Sequence, residues 1–263
     1  MAYEFIAVSS SDRVTTITLN RPEVMNAINK PMHFEMQNAI DAFAGNPDQY
    51  ICVITGAGER AFCAGSDLKA AAESGGIAGS QYPRNGYAGL IERFDLAKPV
   101  IAAVNGIALG GGFEIALACD LIIAAEHARF GLPEPLVGAV ALGGGLHRLA
   151  RQIGLKKAMG LILSAESVTA AEGSALGFVN EVVPAAALNS TVNRWCGRIL
   201  KSAPLAIRAS KETVLRGLDE PSLEAAMQNQ SSYPAFAAWR NAEDTREGPR
   251  AFAEKRPPDW QGR

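Results

Sequence analysis

The chain has 263 residues, 48% of them hydrophobic and 20% charged, enough apolar material for one large domain or a domain with an appendage. A formal net charge of -2 supplies no overall basic field for nucleic acid or an anionic membrane surface, so an anionic ligand must be met by local basic residues. Cys52, Cys63, Cys119 and Cys196 form no C-x-x-C pair; with no leader-like N-terminus and no run near the ~18 uninterrupted apolar residues of a membrane span, a reduced, soluble, cytoplasmic protein without a disulfide or metal framework is expected.

Taken in order, the chain opens with two strands, Phe5 to Val8 and Val14 to Leu19, joined by the polar turn Ser9 to Arg13. Asn20-Arg21-Pro22 ends that pairing. Asn29 then caps a helix with Pro31 in its first turn and Met32, Met36, Ile40 and Phe43 on one face. Gly45 to Asp48 breaks this helix ahead of a strand at Tyr50 to Thr55. That strand leads through Gly56 and Gly58 to Ala61-Phe62-Cys63-Ala64-Gly65-Ser66, and a helix opens at Asp67-Leu68-Lys69.

Residues from Ser74 to Gly89 are glycine-rich without an apolar period, as expected of a mobile loop over a site. A short helical pattern at Leu90 to Leu96 precedes a buried strand from Pro99 to Val104. Next come Gly110, Gly111 and Gly112 and an apolar helix with Glu114 in its first turn. Strands are expected at Leu121 to Ala125 and around Phe130, followed by Glu134 between two prolines, a second glycine triplet at 143–145, and a helix from Leu146 to Gln152. Beyond Leu155 the pattern is helical (Leu155 to Ser164, Ala170 to Leu176, Ala187 to Lys201, Pro204 to Arg216, Leu223 to Trp239), with one strand at Phe178 to Val183. The shift in composition suggests a core with a helical appendage.

Two segments therefore repeat one device: a buried strand, glycines, and a helix start whose first N–H groups lack partners within the helix. Two such loops can aim backbone donors at a single oxygen. Familiar alternatives fit poorly. Gly56-Ala57-Gly58-Glu59-Arg60-Ala61 meets the relaxed dinucleotide pattern, but no helix opens there and no acidic residue ends a strand about 20 residues later. No phosphate-binding loop, zinc-protease motif or nucleophile elbow is present. A serine hydrolase built on Ser66 and His147 is a rival, although a serine before a helix is more often a cap. A pure binding protein is a second rival, which two donor sites beside two carboxylates argue against.

The runs Ala61 to Leu68, Val104-Asn105-Gly106 through Gly110 to Glu114, and Phe130-Gly131-Leu132-Pro133-Glu134 resemble the enoyl-CoA hydratase/isomerase (crotonase) family, in the family's order and over nearly the whole chain. Within it, Asp67 to Glu73, Lys98 to Gly106, and Gly248-Pro249 with Ala251 to Arg256 are most similar to one dehydratase branch. The resemblance implies an α/β fold, a crotonase-like spiral of β-β-α units over residues 1–200, and a helical C-terminal trimerisation region over 201–263, assembled as a homotrimer or a dimer of trimers.

By motif position it further implies that the N–H groups of Ala64 and Gly111 form an oxyanion hole for a CoA thioester carbonyl. Glu114 would hold and deprotonate water while Glu134 delivers the α-proton, the roles reversing in dehydration. Candidate CoA contacts are Arg21, Met25, Ala27, Ser66, Asp67, Leu68 and Lys69, with Phe252 and Lys255 supplied by a neighbouring subunit. No cofactor is expected beyond the coenzyme A of the substrate. In that family isomerase members commonly keep only the second glutamate, so possession of both favours hydration or dehydration over the alternative of Δ3-Δ2 isomerisation; acyl-CoA hydrolysis is the alternative outside lyase chemistry. Ala141-Leu142 suggests an apolar acyl pocket, and His147 a supporting group.

Overall fold

Three successive passes of the chain repeat the same unit, and each leaves its functional segment at the same place. In this computed structural model, which describes residues 3–73 and 81–263, the passes are β3 (Ile51–Gly56), β4 (Ala61–Cys63) and α2 (Leu68–Glu73); β5 (Val100–Val104), β6 (Ile107–Leu109) and α3 (Gly111–Ala118); then β7 (Leu121–Ala125), β8 (Arg129–Gly131), a 3-10 turn at Glu134–Val137 and α4 (Gly145–Ile153). The first strand of each pass joins one sheet. The second joins another. This is the β-β-α spiral that the resemblance implies.

The larger sheet begins with an antiparallel hairpin, β1 (Ile6–Ser11) and β2 (Val14–Leu19), and continues in parallel through β3, β5, β7 and β10 (Glu181–Val183). Its strands β3, β5 and β7 are buried almost throughout, as parallel strands covered on both faces are. The smaller sheet runs β4-β6-β8-β9, with β9 at Val168–Thr169. Its first three strands are parallel, so the segments leaving β4, β6 and β8 emerge on one edge. In open parallel sheets that edge is where ligands are met.

Asparagine side chains fasten the spiral's loops. Asn105 Nδ2 donates to Gly56 O (2.9 Å) and Gly58 O (2.8 Å), while its Oδ1 accepts from Gly56 N–H (3.1 Å). Asn26, fully buried in a left-handed turn (φ 55°), donates to Ala57 O and Ala61 O and accepts from Arg21 N–H. Phe113, Phe130 and Phe178 stack within 5.1–5.4 Å of one another between α3 and the sheets. Helix α1 (Lys30–Gly45) starts where Asn29 Oδ1 caps Met32 N–H and buries Met32, Met36, Ile40 and Phe43.

Contact density separates two units: the described residues through Phe94 with Val100–Asn193, and Asp95–Pro99 with Arg194–Arg263. In the second, α8 (Pro204–Gly217) pairs with α10 (Pro234–Arg240), where Glu212 accepts Ala235 N–H at 2.6 Å. Glu247 on α11 (Asp244–Ala253) binds Arg250, Arg256 and Asp259 N–H, and these donors pull its carboxyl down to about 2. Among the described residues no helix is long and apolar enough to cross a membrane.

Several expectations change in detail. The first hairpin turns tightly at Asp12–Arg13, both at positive φ, so β1 extends to Ser11. Leu90 to Leu96 forms turns, not a helix, though Leu90, Ile91 and Leu96 are buried. The expected helix from Leu223 to Trp239 is two, α9 (Leu223–Asn229) and α10, because Pro234 cannot donate into a continuing helix and starts a new one. The expected mobile loop at 74–89 falls partly outside the described residues, at 74–80; Asn85 to Gly89, by contrast, is docked on α1.

Candidate active site

The three segments leaving β4, β6 and β8 converge. Gly65 (φ 94°) lies so close to the second loop that a Cβ there would stand 2.9 Å from Leu109 O and 3.2 Å from Gly111 N. Gly110 (φ 53°) lies against the third, since its Cβ would meet Glu134 Oε1 at 3.0 Å. Glycine is required at both positions for the approach and for the backbone angle. Gly110 N–H donates to Gly131 O (2.9 Å), holding the second loop in register with the third.

Of the two expected backbone donors, one is already engaged within the fold. Ala64 N–H donates to Met25 O at 3.0 Å and is not available to a ligand. Two residues on, Ile28 N–H donates to Gly65 O (2.8 Å) and Asp67 N–H to Ile28 O (3.0 Å), the bonds of a parallel bridge between Ile28 and Ser66. In such a bridge the bridged residue's own N–H points away from its partner strand. The positive φ of Gly65 thus turns Ser66 N–H, not Ala64 N–H, away from the 25–28 segment. Gly111, the first residue of α3, has an N–H with no acceptor within its helix.

Glu114 is 3% exposed and rests in a cradle made by the second glycine triplet. Its Oε1 accepts Gly145 N–H at 2.9 Å, and a Cβ on Gly143 would collide with Oε2. Burial pushes its carboxyl up to about 7; the negative charge of Glu134 adds to the rise, while Gly145 N–H, Gly143 N–H and the Arg148 guanidinium oppose it. Arg148 itself is held by donating to Ile91 O at 2.6 Å. Glu134 begins its 3-10 turn after Pro133, and burial raises its carboxyl as well. Its Oε2 is buried without a hydrogen-bond partner among the described residues, an arrangement that leaves an acceptor for an incoming group. Two carboxyls with raised pKa therefore lie close to the turn that carries Gly111.

The expected CoA contacts divide into anchored and exposed groups. Arg21 is engaged within the fold: its Nη1 donates to Ala27 O (2.7 Å) and pairs with Asp67 (3.0 Å), with only 14% of the side chain exposed. Met25 forms a left-handed turn with Asn26, and Ala27, next in the chain, accepts the Arg21 bond. Leu68 and Lys69 are exposed at the start of α2. Phe252, 87% exposed, and Lys255 lie in the C-terminal unit. His147 is exposed on α4, and Ser66 Oγ bonds to Tyr87 Oη (3.2 Å), so no Ser66–His147 pair forms. Ala141 is buried, but Leu142 is 72% exposed. Sequence reasoning passed over Tyr87, one of two tyrosines in a glycine-rich stretch and without a periodic signal.

This fold is that of a known class. A family model described as Enoyl-CoA hydratase/isomerase matches residues 9–263, and the chain belongs to that family. Among curated proteins, the carnitinyl-CoA dehydratase of Salmonella arizonae is 42% identical over 261 residues, covering 98% of this chain and 99% of its own. That of Proteus mirabilis is 43% identical over 255 residues, 95% of each chain. Among solved structures, an enoyl-CoA hydratase from Mycobacterium tuberculosis superposes with a TM-score of 0.89 at 35% identity, covering 98% of this chain and 99% of that one; one from Mycobacterium marinum gives 0.90 at 37%, over 98% and 99%.

Proposed function

We propose that this protein catalyses the reversible addition of water across the α,β double bond of an acyl-CoA thioester. The observation that carries the reading is a pair of carboxyls beside the glycine turn bearing Gly111 N–H: Glu114, buried, and Glu134, half-buried with one buried unpartnered oxygen, both raised by burial. Ser66 N–H and Gly111 N–H together receive the thioester oxygen. As a nucleophile adds at Cβ, charge moves onto that oxygen, and fixed amide dipoles stabilise it without reorganising. Glu114, held by Gly145 N–H, orients and deprotonates the water. Glu134, with its unpartnered oxygen beside Gly110, delivers the proton to Cα. In dehydration the two exchange duties, so one of the pair must be ionised and the other protonated in each direction. A carboxyl near 7 suits this, because it gains and loses a proton at little cost at neutral pH.

Within this reaction the relatives named carnitinyl-CoA dehydratase favour a substrate of that kind, 3-hydroxy-4-trimethylammoniobutanoyl-CoA and its dehydrated product. Arg21 and Asp67 fix the 21–28 turn over which the CoA runs, Leu68 and Lys69 border it, and Phe252 and Lys255 reach it from a neighbouring subunit of a homotrimer or a dimer of trimers. Exposed apolar side chains, among them Leu163, Leu218 and Met227, support such an assembly. The chemistry draws on side chains, amides and the substrate's own coenzyme A, with no further cofactor, in the cytoplasm.

One incubation tests the reading against its rivals. Crotonyl-CoA should lose its enoyl absorbance without releasing free thiol, and a 3-enoyl-CoA should show little migration of its double bond. Thiol release as the main event would indicate a hydrolase, and dominant migration an isomerase. A parallel incubation with the trimethylammonio substrate should give a kcat/KM well above that of crotonyl-CoA; equal values would remove the finer assignment.

A further inference from the structure

Tyr87 takes no part in the chemistry described above, yet it touches both residues that supply the backbone donors. Its backbone is fastened to α1. Gln37 Oε1 accepts Asn85 N–H (3.1 Å), Gln37 Nε2 donates to Asn85 Oδ1 (2.9 Å), and His33 Nδ1 accepts Ala88 N–H (2.9 Å). A ring nitrogen that accepts carries no proton, so this neutral imidazole holds its proton on Nε2. Burial, which lowers the His33 pKa to about 4, keeps it neutral. Ala88 adopts φ 53°, a left-handed conformation uncommon for a residue with a Cβ. Gly89 follows so closely on Gln37 that a Cβ would stand 2.6 Å from Gln37 Cβ.

This turn drives the Tyr87 ring inward. It is 5% exposed and meets the His33 ring edge-on at 4.5 Å. At its tip, the hydroxyl accepts from Ser66 Oγ at 3.2 Å. The same tip occupies the space a Cβ on Gly111 would need, with Cζ and Oη in contact and Cε1 at 2.6 Å from that position. Burial holds the phenol protonated, well above its ordinary range. One rigid, neutral side chain thus bridges the β4 loop and the start of α3.

We infer that Tyr87 is a positioning residue for thioester polarisation: hydrogen-bonded to Ser66 and seated against Gly111, it sets the separation of the two N–H donors that receive the carbonyl oxygen. The inference rests on the function proposed above. Donors aimed at one oxygen act together only when both point at where the charge develops, and they belong to loops 45 residues apart in the chain. Tyr87→Phe keeps the ring and its contact with Gly111 but removes the bond to Ser66; Ser66→Ala removes the same bond from the other side.

The test combines kinetics with the carbonyl stretch of bound butyryl-CoA, a saturated thioester that cannot be hydrated. In the wild type, the stretch should move to lower frequency on binding. Y87F should lower kcat for crotonyl-CoA about tenfold while KM changes little, return the stretch part of the way to its free value, and leave the melting temperature near that of the wild type. S66A should do the same, and the double variant should be no worse than either single one. Wild-type kcat and stretch in Y87F, or losses that add in the double variant, would overturn the inference. Should Y87F melt early, S66A alone decides. A wild type that shifts the stretch but does not hydrate crotonyl-CoA would defeat the lyase reading instead, leaving the stretch in Y87F to judge the role of Tyr87.

Discussion

Glu114 is where burial, partners and proton traffic meet. Its carboxyl is raised from 4.5 to about 7 in the folded chain, so between those values the folded state binds more protons than the unfolded one. Stability therefore falls as pH rises through that window, by up to about 3 kcal/mol from this group. Glu114→Gln does not titrate, so its melting temperature relative to the wild type should climb between about pH 5 and about pH 8, as differential scanning calorimetry will show. Activity should respond in the same range, with a break near neutral pH that belongs to the Glu114–Glu134 pair and not to either residue alone. A difference in melting temperature that stays flat with pH would mean that Glu114 titrates normally. At this scale the glycine triplet and Glu114 stand out in the sequence by type and order, whereas Glu134, between two prolines, is singled out only by the family resemblance. The sequence did not distinguish Ala64 from Ser66, since the direction of an N–H there depends on the positive φ of Gly65, which spacing does not reveal.

Elements act here by what they allow to come close. The second glycine triplet starts α4, but its sharper role is to admit the Glu114 carboxyl, for a Cβ on Gly143 would occupy the place of Oε2. Gly143→Ala should displace that carboxyl and reduce kcat roughly 10²-fold, with the far-ultraviolet circular dichroism unchanged. Full activity in this variant would show that the cradle yields easily. The strand, glycine and helix-start device was legible in two of the passes from their apolar runs and glycines, whereas the short strands β4 and β6, and with them the β-β-α spiral, were implied only by the family resemblance. Asn85 to Gly89 was not legible as a docked turn: its buried residues follow neither helical nor strand periodicity, and its anchors, His33 and Gln37, lie about fifty residues away on α1. The break in the Leu223 to Trp239 region was legible in principle, because Pro234 marks a helix start, but apolar spacing that continues across it suggests one helix.

For the whole molecule, the spiral gathers three sequence-distant loops at one sheet edge. In the proposed trimer, Phe252→Ala and Lys255→Ala should each raise KM for the CoA thioester several-fold while leaving kcat nearly unchanged, because the CoA moiety lies away from the reacting carbons and binds substrate and transition state alike. Unaltered KM in both, or a monomeric mass by light scattering, would remove the subunit contribution. The composition shift toward helix beyond Leu155 foretold a change of architecture; the unit boundary near Asn193 and the inclusion of Asp95–Pro99 in the second unit depend on contacts made far apart in the chain, which composition does not encode.

The division of labour between two carboxyls is tested most directly by the steady-state rate of enoyl absorbance loss from crotonyl-CoA in the wild type, Glu114→Gln and Glu134→Gln. The wild type should hydrate the substrate, and each variant should lose roughly 10²-fold or more in kcat with KM within a few-fold. Turnover at the wild-type rate in either variant would contradict the account.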